Sequence, residues 1–385
     1  MIISRFSFEE KSLNWKLQEI QLNKLTLLVG ASGVGKTQML KSIYNLKNIV
    51  EGESLNGVVW SVEFQTLDGS RYIWNGEFEN KGISVIINDN DEDDKKSKSK
   101  VIYEELYLNG ELIINRKNEV ILFKGVPTIK LSQQESVLSL LKEEDIVNPA
   151  FEGIKKIHFS DQSNSASISR GFNFSFLNAN KFLKKYDTLE KIQESNLEIE
   201  LKLYFTYKIS VDSFSLIKER FIDIFPQVSD IKIAPLENFE RGDLPDILRD
   251  YPYIQIKERD VEHWISQNRM SSGMYRTLIQ LSELYLSSAG TIFLIDEFEN
   301  SLGINCINEI TNDILNSKRN LQFILTSHHP YIIDAIPYEN WKLVTRHTGI
   351  VEAHDISKYN FSKSKHSAFM QLLQLDEYQT GTIHY

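Results

Sequence analysis

The sequence predicts an α/β protein: a parallel, helix-flanked core that carries an antiparallel β-region and an inserted α+β lobe. Three observations carry this reading. The apolar run "KLTLLVG" ends in a glycine-rich loop and leads into a helical pattern, "QMLKSIYNL". From residue 270 onward helix and strand alternate ("MYRTLIQLSELYL", "TIFLIDE", "INCINEITNDIL", "QFILTSH"), the rhythm of parallel strands joined by crossover helices. Between 58 and 124 come short segments rich in Val, Ile, Tyr, Phe and Trp, separated by Leu-Asp-Gly and Leu-Asn-Gly turn signals, which is the pattern of antiparallel hairpins.

Taken in order, "MIISRFSF" alternates as a half-buried strand does, and "KLTLLVG" is apolar throughout, as a strand covered on both faces is. The hairpin region contains "NDNDEDDKKSKSK" (88–100), a charged stretch without an apolar anchor, expected to be a mobile surface loop. From 150 to about 260 helical and strand-like pieces mix: "FSLIKERFIDIFP" has helical spacing and stops at Pro226, and "YIQIKER" reads as a strand. No heptad pattern persists long enough for a coiled-coil arm. "KSKHSAFMQLLQLDEY" reads as one terminal helix with a basic start. The expected organisation is a core in two parts, 1–150 and 261–385, with the lobe at 151–260.

The chain has 385 residues, enough for one large domain or two ordinary ones. Hydrophobic residues make up 41% and charged residues 25%, ordinary for a globular protein, and the formal net charge is −10. An acidic chain gives no support for nonspecific nucleic-acid binding as the main activity. The single cysteine, Cys306, rules out an internal disulfide framework and fits a reducing compartment. It lies in the apolar stretch "LGINCINEI" and reads as a buried, inert thiol. The N-terminus lacks the layout of a secretion signal and no apolar run is long enough to span a bilayer, so a cytoplasmic location without membrane contact is expected.

"GASGVGKT" comprises Gly30, Ala31, Ser32, Gly33, Val34, Gly35, Lys36 and Thr37, and fits the P-loop pattern G-x-x-x-x-G-K-[ST]. Glycines let the backbone wrap a phosphate, and successive N–H groups at a helix start favour its charge. Lys36 would reach the β- and γ-phosphates of ATP and the Thr37 hydroxyl would ligate Mg²⁺. "TIFLIDE" is an apolar strand ending in two acids: Asp296 to hold Mg²⁺, and Glu297 to polarise the attacking water. By itself that strand end could equally carry two solvated acids. "QFILTSHH" ends in a polar switch where His328, favoured over His329, is a γ-phosphate sensor. Ser271, Ser272 and Gly273 open a helix; read alone, Ser271 is a cap and Gly273 a turn residue.

In this order the motifs resemble those of ABC-type AAA ATPases. Met270-Ser271-Ser272-Gly273-Met274 takes the place of that family's Leu-Ser-Gly-Gly-Gln signature, with Ser272 at one of its glycine positions and Met274 at the glutamine. Ser-Ser-Gly variants look like those of the SMC-like and OLD-like branch rather than of transporters. The resemblance implies a head-to-tail homodimer, or a higher homo-oligomer, in which the signature grips the γ-phosphate held by a second copy. It also places "FENSLG" (298–303) at the family's D-loop, across that interface. The Q-loop glutamine, which senses Mg²⁺ and couples ATP to the attached lobe, falls at Gln133 or Gln134 in "LSQQESVL", with Gln133 preferred. The aromatic that stacks on adenine in transporters has no clear counterpart; Phe8 and Trp15 are the nearest.

The run "SSGMYRTLIQLSELYL…LIDEFENSLG…ILTSHHPYIID" is similar to ATPase subunits of bacterial anti-phage modules of OLD, Septu and PARIS type. That similarity implies an ATPase that senses infection or DNA and controls a separate effector, a nuclease or toxin. Only 57 residues follow His328, too few for the fused nuclease of an OLD protein, so any cutting activity is expected from another chain. Two readings stand: an ATP-hydrolysing dimer, and a nucleotide-gated scaffold with little turnover that holds the effector. The motor of a membrane transporter fits less well, given the insert and the signature. DNA remains a candidate ligand through the lysines of "IKKIHF" and "KFLKKY", although each pair also reads as a solvated face.

Overall fold

The computed structural model describes residues 1–82, 98–160, 184–236, 251–300, 304–317, 319–359 and 365–382. The chain divides into two compact units: Met1–Gln162, Ala289–Phe298 and Ser317–Tyr385 form the first, and Ser163–Ser288 with Glu299–Asn316 the second.

In the first unit, β1 (Ile2–Glu10) and β2 (Trp15–Gln21) form a hairpin. β3 (Leu25–Val29) is buried at every position and leads through the glycine-rich loop into α1 (Lys36–Val50). The aromatic-rich region is an antiparallel meander of β4 (Val58–Gln65), β5 (Arg71–Phe78), β6 (Val101–Leu108), β7 (Glu111–Lys117), β8 (Val120–Phe123) and β9 (Val126–Pro127). β10 (Ile157–Ser160) follows two short helices. Residues 88–97 of the expected surface loop lie outside the described residues, whereas Ser99 is buried at 4% exposure and its carbonyl accepts from Ser54 Oγ.

The second unit holds a three-stranded antiparallel sheet of β11 (Val228–Pro235), β12 (Pro252–Glu258) and β13 (Ile265–Ser266). Its helices include Ile199–Ile209, Val211–Ile224, Ser272–Leu286 and Ile304–Asn316. Arg220 joins two of them: its Nε donates to both Asp313 oxygens at 3.0 and 2.8 Å, and its Nη2 donates to Glu309 Oε2 at 2.8 Å. Cys306 is buried, in keeping with an inert thiol.

Returning to the first unit, β14 (Ile292–Ile295), β15 (Gln322–Thr326), β16 (Trp341–His347) and β17 (Ile350–Asp355) complete one 14-stranded sheet among the described residues. Its order is β10-β14-β15-β3-β16-β17-β2-β1-β4-β5-β6-β7-β8-β9. The first five strands run parallel, and the meander continues the sheet antiparallel. Gln322, fully buried, ties β15 to the chain start: its Nε2 donates to Ile3 O and Asn23 O, and its Oε1 accepts from Ile3 N. The terminal segment forms two helices, Lys365–Leu373 and Asp376–Thr380, rather than the single one expected. Asp376 and Glu377 suit the positive N-terminal end of a new helix better than the C-terminal end of the previous one. Among the described residues no helix is long and apolar enough to cross a membrane.

Strict alternation packs the meander. Val58, Trp60, Val62 and Phe64 bury one face of β4, and Trp60 meets Trp74 edge-on with ring centroids 5.1 Å apart. Gly76 lies opposite Trp60, and a Cβ there would sit 2.3 Å from the indole, so only glycine lets the ring cross β5. Beneath this face Glu104 and Arg116 face each other across β6 and β7, at 0% and 1% exposure. Glu104 accepts from Trp74 Nε1, Ser136 Oγ and Val137 N, while Arg116 donates to the carbonyls of Ser132 and Glu135. The pair therefore fastens residues 132–137 to the sheet.

Removing one member of a buried pair strands the other charge, at a cost of about 3–5 kcal/mol. Arg116→Ala is expected to lose that much in urea unfolding, and Arg116→Met combined with Glu104→Gln to recover much of it. Burial pushes the Glu104 carboxyl above its ordinary 4.5, so between 4.5 and that raised value the folded state holds a proton that the unfolded state releases. Its contribution to stability declines as pH rises through that window, and Glu104→Gln should remove that slope from an unfolding series.

Candidate nucleotide site

The glycine-rich loop owes its shape to three left-handed glycines: Gly30 (φ +147°), Gly33 (φ +83°) and Gly35 (φ +104°). A Cβ on Gly30 would lie 2.5 Å from the Val344 carbonyl oxygen, so strand β16 and the loop approach as closely as backbone permits. Val34 is buried and anchors the loop in the core, Ala31 is half-buried, and Ser32 and Gly33 are exposed. Lys36 opens α1 at 6% exposure, and its ammonium donates to the carbonyls of Gly30 (2.9 Å) and Ala31 (2.8 Å).

Thr37 Oγ1 donates to Asp296 Oδ2 at 2.7 Å, bringing together residues 259 positions apart in sequence. They meet because β3 and β14 flank β15 and all three run parallel, so their carboxyl ends open on one side of the sheet. The other carboxylate oxygen, Asp296 Oδ1, accepts from Thr326 Oγ1 at 2.6 Å. Glu297 is exposed and holds φ at +46°, a left-handed conformation that costs a residue bearing a Cβ about 1–2 kcal/mol. Its N–H donates to Thr326 Oγ1 at 2.8 Å, and the next N–H, of Phe298, donates to Thr326 O at 3.0 Å. Thr326 is thus the polar residue that sequence reading passed over. Its signal was the change from apolar to polar inside "QFILTSH".

The donor set suits Mg²⁺ with a polyphosphate. A hydroxyl and a carboxylate are hard oxygen donors, few enough to leave positions for water and phosphate oxygens, as that ion requires. Thr37 and Asp296 would hold the ion, and the loop amides and Lys36 would hold the phosphates.

Beyond β15, His328 is exposed. His329 caps the helix Pro330–Ala335: its Nδ1 accepts from Tyr331 N at 3.3 Å. Gln133 is half-buried in the segment after β9; its carbonyl accepts from Val101 N, and it makes no hydrogen bond to Thr37 or Asp296. The neighbouring Gln134 N–H donates to Ser132 Oγ. Phe8 and Trp15 are core residues at 1% and 5% exposure. Of the candidate DNA-contact lysines, Lys155 pairs with Glu152 and Lys156 donates to the Ala289 carbonyl, while Lys181 lies outside the described residues.

Ser271, Ser272 and Gly273 belong to the second unit. Ser271 Oγ accepts from Met274 N at 3.2 Å and caps the helix Ser272–Leu286, so Gly273 sits inside the first helical turn rather than in a loop. Ser271 and Ser272 are exposed. Tyr275 donates to Glu200 Oε1 at 3.2 Å, and burial pushes both groups up, which keeps the phenol a donor. Arg276 Nη1 donates to Asn300 O at 3.2 Å, linking this helix to the segment that follows the acidic strand. Residues 301–303 of the D-loop candidate lie outside the described residues.

Known proteins share this architecture. The head domain of SMC bound to the C-terminal winged-helix domain of ScpA is similar with a TM-score of 0.50 and 13% identity, over 93% of this chain and 100% of that one. The Smc head with an extended coiled coil, bound to the C-terminal domain of ScpA derived from Pyrococcus furiosus, gives the same TM-score and identity over 93% and 97%. At that identity the likeness concerns the fold alone: the α/β fold of an SMC head. No curated protein matches the chain. Residues 129–334 match the family described as "AAA domain, putative AbiEii toxin, Type IV TA system". With more than half its length matched, the chain belongs to this AAA-domain family and has the fold of an SMC-like, ABC-type ATPase.

Proposed function

We propose that the chain binds and hydrolyses Mg²⁺–ATP, and that ATP-dependent pairing of two copies controls a separate effector, a nuclease or toxin, in bacterial anti-phage defence. The observation that carries this reading is the meeting of Thr37 and Asp296 beside Lys36 and Glu297. Lys36 and the loop amides position the phosphates, and Thr37 and Asp296 hold the metal. Glu297 orients the attacking water, and His328 follows the γ-phosphate. Bound Mg²⁺ supplies charge neutralisation on the phosphate oxygens. What remains for the protein is positioning and fixed electrostatics.

Gln133 is assigned to metal sensing, and Ser271, Ser272 and Gly273 to the γ-phosphate of a second copy. Supporting the latter, an exposed, capped helix start is an anion site, and it is joined to Asn300 within one unit. The effector role draws on the toxin named in the family description and on the partner-bound state of the SMC heads. DNA is the candidate trigger, and DNA-stimulated turnover that weakens steeply with salt is its expected mark.

Glu297→Gln is expected to slow phosphate release by about 10²–10³-fold while ATP binding persists, measured by a coupled phosphate assay and by equilibrium binding. Equal, near-zero release by wild type and variant, with tight binding in both, would replace hydrolysis with a nucleotide-gated scaffold. Gly273→Glu places a carboxylate where the second copy's phosphate is proposed to dock. It should abolish the ATP-induced mass increase in light scattering and leave ATP binding to the single copy intact.

A further inference from the structure

We infer that Thr326 is a positioning residue that couples the aim of Glu297 to the state of Asp296; this rests on the ATPase reading above. The argument begins with proton accounting. A threonine hydroxyl has one proton to give and lone pairs to receive. At 2.6 Å the Thr326 hydroxyl gives its proton to Asp296 Oδ1, and at 2.8 Å the same oxygen receives the Glu297 N–H. Donating to a carboxylate polarises the hydroxyl and makes its oxygen a better acceptor, so the two bonds strengthen each other.

The main chain of the same residue receives the Phe298 N–H at 3.0 Å. Thr326 therefore grips two consecutive amides of the turn that leaves β14, one with its side chain and one with its backbone. Glu297 sits at φ +46° in that turn, a conformation that persists only where surrounding bonds over-determine it. Thr326 is 1% exposed, and its branched Cβ restricts χ1, so the grip is held in one rotamer. Asp296 is shared at its other oxygen with Thr37, the hydroxyl at the start of α1. A chain of bonds thus runs from Thr37 through Asp296 and Thr326 to the backbone of Glu297. Whatever Asp296 binds is felt where Glu297 is aimed.

The test compares wild type, Thr326→Ser, Thr326→Val and Thr326→Ala in the full chain. Valine keeps the shape and loses both bonds; serine keeps the hydroxyl; alanine substitutes for valine if the latter does not fold. Three quantities are read: hydrogen exchange of residues 292–300 in nucleotide-free protein, binding of a fluorescent ATP analogue with Mg²⁺, and single-turnover phosphate release. Valine is expected to speed exchange in that segment by about tenfold and to slow release by about 10²-fold, with analogue binding kept and serine restoring most of both losses. The inference is overturned if valine exchanges and turns over like wild type, if serine fails to rescue, or if binding falls as far as turnover. A wild type that releases no phosphate would instead overturn the hydrolysis reading, while exchange in the nucleotide-free protein still decides whether Thr326 holds the turn.

Discussion

The carboxylate of Asp296, held between the hydroxyls of Thr37 and Thr326, is the contact on which the rest of the site depends. It forms only because three parallel neighbours, β14, β15 and β3, end together: Asp296 directly follows β14, Thr326 closes β15, and Thr37 stands in the first turn of α1, across the glycine-rich loop from the end of β3. A parallel arrangement needs crossover connections, which is why residues so distant in sequence meet. Gln322, at the opposite end of β15, holds the strand in register through Ile3 and Asn23. The end of the sheet away from the site thus keeps the site end aligned.

The division of the chain sorts the motifs. The P-loop, Asp296, Glu297 and His328 fall in one unit, and Ser271–Gly273 with Asn300 fall in the other. Within the second unit Tyr275 and Arg276 fix the helix Ser272–Leu286 through Glu200 and the Asn300 carbonyl, and Arg220 fixes the helix Ile304–Asn316 through Asp313 and Glu309. Elements proposed to act on a second copy therefore share one framework, distinct from the residues that would hold the first nucleotide.

Much of this was legible in sequence because it rests on local patterns. The P-loop announces itself by glycine spacing, β3 by its unbroken apolar run, and the meander by period-two alternation with Asn-Gly and Asp-Gly turns. What stayed hidden depends on partners that local pattern does not contain. Thr326 reads as one polar residue at a strand end until β14 is laid beside it. The Glu104–Arg116 pair reads as two charges on strands whose alternation alone could not show that both point inward. The break between the last two helices turned on Asp376 and Glu377, whose preference for a helix start competes with the apolar spacing around them.

Large sheets are hazardous because each unpaired flank is a template on which another chain can polymerise. Among the described residues the 14 strands finish on a two-residue β9 that contains Pro127, which lacks an amide hydrogen, and on the four-residue β10. A neighbour adding to either flank would gain few backbone bonds. The width of this sheet alone therefore gives no reason to expect fibril-like growth.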